Sequence, residues 1–346
     1  MNSSVGTDTS LPVHILTGFL GSGKTTLLNR LLETETLNNS AVIVNEYGDI
    51  GIDHHLIEAS DDRFVELAGG CVCCAVRGDL ALTLAALLEA RLTGRCPMFA
   101  QVLIETTGLA DPNPIINLLA VDPYLAEHVH LGATLVTVDA VNGLNTLATF
   151  AEATQQVLLA DTVLLTKTDL RPASAQLSER VRAINPNARF VSVTTEQALP
   201  AADTLLEDRG TPGAPHSHHH QHTDDIESFV VRRSQPLHPA VVPLFVEALA
   251  QQLGVDLLRL KGIVQIAGRE TGSTYHGVLH AAQHVFHPLA AFTDETYQGG
   301  TELVFIVRGR AHAFVESLLD AIALEVADTL TYHPLATDAV RTATDV

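Results

Sequence analysis

A strand-like apolar run, Val13-His14-Ile15-Leu16-Thr17, leads directly into Gly18-Phe19-Leu20-Gly21-Ser22-Gly23-Lys24-Thr25, and an amphipathic run from Thr26 to Leu32 follows. The central eight residues match G-x-x-x-x-G-K-[ST] in full, in the strand-loop-helix setting that a phosphate-binding loop requires. The glycines let the loop wrap so that backbone N–H groups face a β-phosphate. Lys24 reaches the β and γ oxygens, and the Thr25 hydroxyl at the helix N-terminus is placed to ligate Mg²⁺. Gly18, Gly21, Ser22, Gly23, Lys24, Thr25 and Thr26 are therefore the expected phosphate-side residues. A chain with this loop is committed to an α/β architecture over that stretch.

The rest of the first half agrees with that commitment. The β-type runs AVIVN, QVLIE, TLVTVD and TVLLTK alternate with helical patterns such as FAEATQQVLLA up to about Phe190. Such alternation is the signature of βαβ units and a mostly parallel sheet covered on both faces. With 346 residues, two cores are expected. The spacing predicts a nucleotide-binding domain over 11–207, a histidine-rich linker over 208–226, a smaller α+β domain over 227–330 and a flexible tail over 331–346. In the second domain the expected strands are ESFVVRRS, LLRLKGIVQIA, GVLHAAQHVF and TELVFIVRG. The expected helices run from Pro239 to Leu253 and from about Ala311 to Ala327.

Two further segments carry nucleotide chemistry. Thr166-Lys167-Thr168-Asp169 follows the apolar strand TVLL and matches [NT]KxD, in which the aspartate accepts hydrogen bonds from guanine N1 and the N2 amine, while the lysine stem packs along the base. GTP is thus expected over ATP, with Asp169 as reader and the Thr166 hydroxyl left for local bracing. The strand QVLI ends in Glu105-Thr106-Thr107-Gly108, an acid at a strand end followed by a glycine-containing loop. That is where a P-loop enzyme places its Mg²⁺-side carboxylate and its γ-phosphate-sensing switch. Lys24, Thr25 and Glu105 are the expected catalytic set, with Gly108 on the nucleotide.

A second chemistry is written in Cys71-Val72-Cys73-Cys74, which holds three of the four cysteines. In a reducing compartment such a cluster reads as metal-binding or redox-active rather than as a disulfide staple. Thiolates suit Zn²⁺, with Co²⁺ and Cu⁺ as alternatives, and do not suit Mg²⁺. A closed structural zinc site and thiol exchange remain alternative readings. Glu46 is a candidate additional ligand. His216, His218, His219, His220 and His222 offer imidazoles for auxiliary metal capture in the linker. His280, His284 and His287 lie in a stretch whose composition reads as strand, and they are expected to be core or surface residues.

The formal net charge of −20 argues against nucleic acid or an anionic membrane as the main partner. No segment has the length of a membrane span or the pattern of a leader, so a cytoplasmic protein is expected.

Taken in order, TGFLGSGKTTLLN, VNEYGDIGID, ELAGGCVCC, ETTGLADP and TKTD, with LLRLKG and TELVFIVRG in the second half, resemble the CobW-like metallochaperone GTPases over nearly the whole chain. Asp111-Pro112 after ETTGL is more similar to the zinc-associated branch. The resemblance implies weak intrinsic GTPase activity, a first switch at NEYG with Glu46 near the metal, and metal affinity that depends on nucleotide. An apo-metalloprotein client is the expected partner, and the second domain is expected to recognise it or to mediate self-association as a homodimer. A cobalt chaperone, a histidine-rich metal buffer with a vestigial nucleotide site, and a small-molecule P-loop kinase or ATPase are the competing readings.

Overall fold

The computed structural model describes residues 10–32, 37, 39–44, 65–66, 72–75, 79–194, 199, 205–206, 226–268, 272–283, 285–287, 289–292, 297 and 299–332. In chain order the first half holds β1 (Leu11–Gly18), α1 (Lys24–Leu32), β2 (Ser40–Val44), β3 (Val65–Glu66), β4 (Val72–Ala75), α2 (Leu80–Leu92) and β5 (Gln101–Glu105). It continues with α3 (Asn113–Val121), α4 (Pro123–His128), β6 (Val129–Asp139), α5 (Gly143–Thr149), α6 (Ala151–Leu158), β7 (Thr162–Thr166), α7 (Ala175–Ile184) and β8 (Arg189–Ser192).

These strands form one sheet in the order β3-β4-β2-β5-β1-β6-β7-β8. Every neighbouring pair is parallel except β3 with β4, which is antiparallel. The strands are apolar on both faces because helices cover both. Leu16, Leu103, Leu135 and Leu164 pack with Leu27, Leu28 and Leu31 of α1. Alternate residues face the other layer: Ile15 and Ile104 meet α2 and α3, while Val136 and Val163 meet α6 and α7. Helix starts follow side-chain caps where the sequence supplies them. Asp79 accepts from Ala81 N at 2.8 Å ahead of α2, and Ser174 accepts from Leu177 N at 3.1 Å ahead of α7.

The second half comprises β9 (Ile226–Arg233), α8 (Val241–Gln252), β10 (Leu257–Ala267), β11 (Thr274–Ala282), β12 (Val285–Phe286), β13 (Ala290–Ala291), β14 (Thr301–Arg308) and α9 (His312–Tyr332). Its antiparallel sheet runs β12-β11-β10-β14-β9, with β13 paired to β11. One face buries Phe229, Leu260, Leu303 and Phe305 against Phe245 and Leu249 of α8 and Val315 and Leu319 of α9. α9 extends beyond the expected end at Ala327, because no glycine or proline interrupts the chain before Pro334. Among the described residues, no helix is long and apolar enough to cross a membrane.

The other face of this sheet rests on the first domain. Leu258 and Ile306 enter the core beneath α6 and α7, and Ala282 enters the core beneath α2 and α3. Arg259 and Lys261 of β10 both pair with Asp161, at the start of β7, and the Lys261 contact is 2.7 Å. Burial by itself would raise the Asp161 pKa, but the charges of Lys261 and Arg259 outweigh it and hold the carboxyl far below the usual range.

His280 lies in β11 and His287 just past β12, so this stretch is a strand hairpin as its composition implies. The two rings meet edge-on, with centroids 6.2 Å apart and planes at 71°, and His287 N donates to His280 O at 2.9 Å. Burial lowers the His287 pKa from 6.5 to about 4. The folded protein therefore holds this imidazole neutral while the unfolded chain takes up a proton, so stability falls as pH drops from above 6.5 toward 4. At about 1.4 kcal/mol per pKa unit the loss approaches about 3 kcal/mol. Urea unfolding of His287→Phe compared with wild type should show a flatter dependence between pH 7 and pH 4.5; parallel curves would mean that this histidine does not titrate differently on folding.

Candidate nucleotide site and the cysteine strand

β1 delivers the phosphate loop and α1 receives it. Gly18, Gly21 and Gly23 take φ of 141°, 69° and 95°, values that side chains rarely tolerate. Gly18 has a second constraint, since a Cβ there would lie 2.3 Å from Thr137 Oγ1. Ser22 Oγ and Thr137 Oγ1 are 2.6 Å apart, which ties the loop to β6. Lys24 Nζ donates to Phe19 O at 3.3 Å, folding the ammonium over the loop it follows. Thr26 lies in the first turn of α1.

Thr25 and Glu105, 80 residues apart, are brought together: Thr25 Oγ1 donates to Glu105 Oε1 at 2.7 Å. A hydroxyl and a carboxylate beside a phosphate loop are hard oxygen donors that fit Mg²⁺. The loop after Glu105 is stitched to the same place. Thr106 N donates to Leu16 O at 2.9 Å, and Thr106 Oγ1 donates to Thr17 Oγ1 at 2.7 Å, so this threonine braces β1 rather than capping α3. A Cβ on Gly108 would sit 2.7 Å from the Leu20 backbone, so only glycine allows the two loops to touch.

The TKTD segment meets the phosphate loop directly. Thr166 Oγ1 donates to Ser22 O at 2.6 Å, across 144 residues. Lys167 adopts a left-handed φ of 56° and its Nζ pairs with Asp139 Oδ2 at 2.7 Å. Asp169 is exposed in the turn that follows. Asp139, at the end of β6, also accepts from Val141 N at 2.7 Å and from the Asn142 side chain at 3.2 Å. Burial would raise its pKa, but these hydrogen bonds and the Lys167 charge prevail and lower it. Sequence reasoning did not single out Asp139, although the signal was available: like Glu105, it is an acid ending an apolar strand. Beside it a cavity of about 180 Å³ lies behind the phosphate loop, walled by Phe19, Val138, Leu147, Gln156 and Lys167.

Cys73 and Cys74 lie in β4, next to β2. The register aligns Ala75 with Val44 and Val44 with Glu105, so the cysteine strand stands two strands from the Glu105 position in one row. At about 4.8 Å per strand that is about 10 Å between backbones. Cys71, Glu46 and the histidines His216, His218, His219, His220, His222 and His284 lie outside the described residues. Cys96, the remaining cysteine, packs against the α2 layer.

Comparison with known proteins agrees with this geometry. Residues 12–192 match the CobW/HypB/UreG nucleotide-binding domain, and residues 226–323 match the cobalamin synthesis protein CobW C-terminal domain. The zinc chaperone YjiA of Escherichia coli is 34% identical over 274 residues, 78% of this chain and 86% of that protein. The zinc-regulated GTPase metalloprotein activator 1 of Schizosaccharomyces pombe is 34% identical over 193 residues, 53% of this chain and 46% of that protein. The crystal structure of Zn(II)-bound YjiA GTPase from Escherichia coli superimposes with a TM-score of 0.65 at 29% identity, covering 90% of this chain and 99% of that one. With both of its sheets accounted for by these two domain models, the chain belongs to the CobW family of P-loop GTPase proteins.

Proposed function

We propose that this protein is a GTP-hydrolysing metallochaperone that binds Zn(II) at Cys71, Cys73 and Cys74, with Glu46 nearby, and transfers it to a client metalloprotein. The observation that carries the reading is the sheet register: the strand bearing Cys73 and Cys74 lies about 10 Å, two strands, from the strand ending in Glu105. The names of the relatives, a zinc chaperone and a zinc-regulated GTPase metalloprotein activator, support the choice of cargo.

The chain's own residues suit each role. Loop N–H groups and Lys24 cradle the phosphates, Asp169 reads the guanine edge, and Lys167 is steadied by Asp139. Thr25 and Glu105 would hold Mg²⁺, which when bound neutralises charge on the phosphate oxygens. Glu105 and Gly108 lie in the segment that responds to the γ-phosphate, and β2 carries that response to the cysteine strand. GTP then raises zinc affinity, and hydrolysis lowers it again. Linkage requires bound zinc to tighten GTP by the same factor. The histidine tract supplies auxiliary capture.

A competition titration of zinc against a chromophoric chelator, with GTP and Mg²⁺, with GDP and Mg²⁺, and without nucleotide, tests this. A GTP-dependent gain of about tenfold, equivalent to about 1.4 kcal/mol, is expected, and it should vanish in the Cys71/Cys73/Cys74 triple alanine variant. Equal zinc affinity in all three nucleotide states would sink the coupling.

A further inference from the structure

Among the described residues, the loop after Glu105 meets β1, the phosphate loop and a side chain on α6. That side chain is Gln156, whose relative exposure is 1%. Its Nε2 donates to Ala110 O at 3.0 Å and to Gly108 O at 3.4 Å, the two carbonyls that flank Leu109. A glutamine on the inner face of a helix is costly unless its amide is used, and here the donor end is spent wholly on this loop. The acceptor end, Oε1, has no hydrogen-bond partner among the described residues. Gln156 also lines the 180 Å³ cavity behind the phosphate loop, which leaves room for the amide to turn.

An anchor must itself be held, and α6 is. Asn185 Nδ2 donates to Val157 O at 2.9 Å, Leu158 O at 3.1 Å and Ala160 O at 2.9 Å. Arg259, reaching over from the second domain, donates to Ala160 O at 2.7 Å. The C-terminal end of α6 and the residues just after it are therefore pinned by two independent side chains, one to four residues past the point where Gln156 grips the loop. On the opposite side, Gly108 has no slack, because its backbone lies against Leu20. The loop that follows Glu105 is thus clamped between the phosphate loop and Gln156.

We propose that Gln156 is a positioning residue of the nucleotide switch: it holds Gly108 and Ala110 at the distance from the phosphate loop that a γ-phosphate requires, without touching nucleotide itself. This rests on the GTPase reading above. Diphosphate binding depends on the phosphate loop and the base-side turn, neither of which Gln156 contacts by hydrogen bond. Triphosphate binding depends in addition on where the loop bearing Gly108 stands. Gln156 should therefore set the preference between the two nucleotides rather than affinity for both.

The test measures affinities of the full chain for GDP and for a non-hydrolysable GTP analogue, both with Mg²⁺, in wild type, Gln156→Met and Gln156→Glu. Methionine keeps length and burial but removes the donor. Its expected effect is a fall of about tenfold in the analogue-to-GDP affinity ratio, with GDP affinity within about twofold of wild type. Glutamate can donate one hydrogen bond to Ala110 O when neutral and none when ionised, so its ratio should approach wild type at low pH and fall as pH rises, a profile that methionine cannot produce. An unchanged ratio in Gln156→Met, an equal loss for both nucleotides, or a pH-independent Gln156→Glu would overturn the assignment. Failure of wild type to bind either guanine nucleotide would instead remove the GTPase reading on which it stands.

Discussion

Replacing Lys24 with alanine is expected to lower single-turnover GTP hydrolysis by two to three orders of magnitude, a loss of about 3–4 kcal/mol of transition-state stabilisation. The ammonium folds over the phosphate loop and donates to Phe19 O, and under the proposed function it is the cation that meets charge developing on the β and γ oxygens. Lys167, the lysine of the turn that meets the loop, is engaged with Asp139 and so is not placed to substitute for Lys24. The fold should survive, since the truncation removes a stem at the rim of the sheet rather than a layer of its core. Rates measured with enzyme in excess over GTP check this. Hydrolysis within threefold of wild type would mean that the chain does not use its phosphate loop in the manner argued.

The largest expected effect on stability belongs to Asp161. Its carboxylate receives both Arg259 and Lys261, and it also accepts from Thr134 N at 2.8 Å. The three charged side chains are 11–17% exposed, so solvent screens them little. Asp161→Ala leaves two cations facing each other at the domain interface without their anion. Breaking a buried arrangement of this kind costs about 3–5 kcal/mol. By contrast, the half-exposed pair Arg232–Glu302 should be worth less than about 1 kcal/mol. Urea unfolding of Asp161→Ala and Glu302→Ala at pH 7 distinguishes the two. Similar small losses would mean that the interface is solvated in a way the geometry does not suggest. Because the folded Asp161 titrates well below its ordinary value, its contribution is fully present above about pH 4 and is lost only as pH falls further.

These two positions illustrate what a sequence can and cannot disclose. Lys24 is legible because a phosphate loop is a local device, with glycines, lysine and hydroxyl at fixed spacing between a strand and a helix. Glu105 and the TKTD segment are legible for a related reason, since both end apolar strands of the same sheet. Asp139 obeys that rule too and passed unnoticed because no named motif surrounds it. Asp161 was not legible. Its meaning comes from Arg259 and Lys261, about a hundred residues away, and nothing local marks the start of β7 as a domain contact. Gln156 was hidden differently, since one polar residue in an amphipathic helix is normally assigned to the wet face. Only its 1% exposure shows otherwise.

The hydrogen bond from the Thr166 hydroxyl to Ser22 O joins the TKTD turn to the phosphate loop. The two half-sites therefore stand at a fixed separation before any ligand arrives, and a nucleotide meets them as a bivalent ligand meets a rigid two-site receptor. Once either end is seated, the other finds its partner at high effective concentration, and little ordering is left to oppose it. Free guanosine or inorganic phosphate, each filling one half, gains nothing from that arrangement. Under the proposed function, the spacing between Thr166 and Ser22 acts as a gauge for the intact nucleotide.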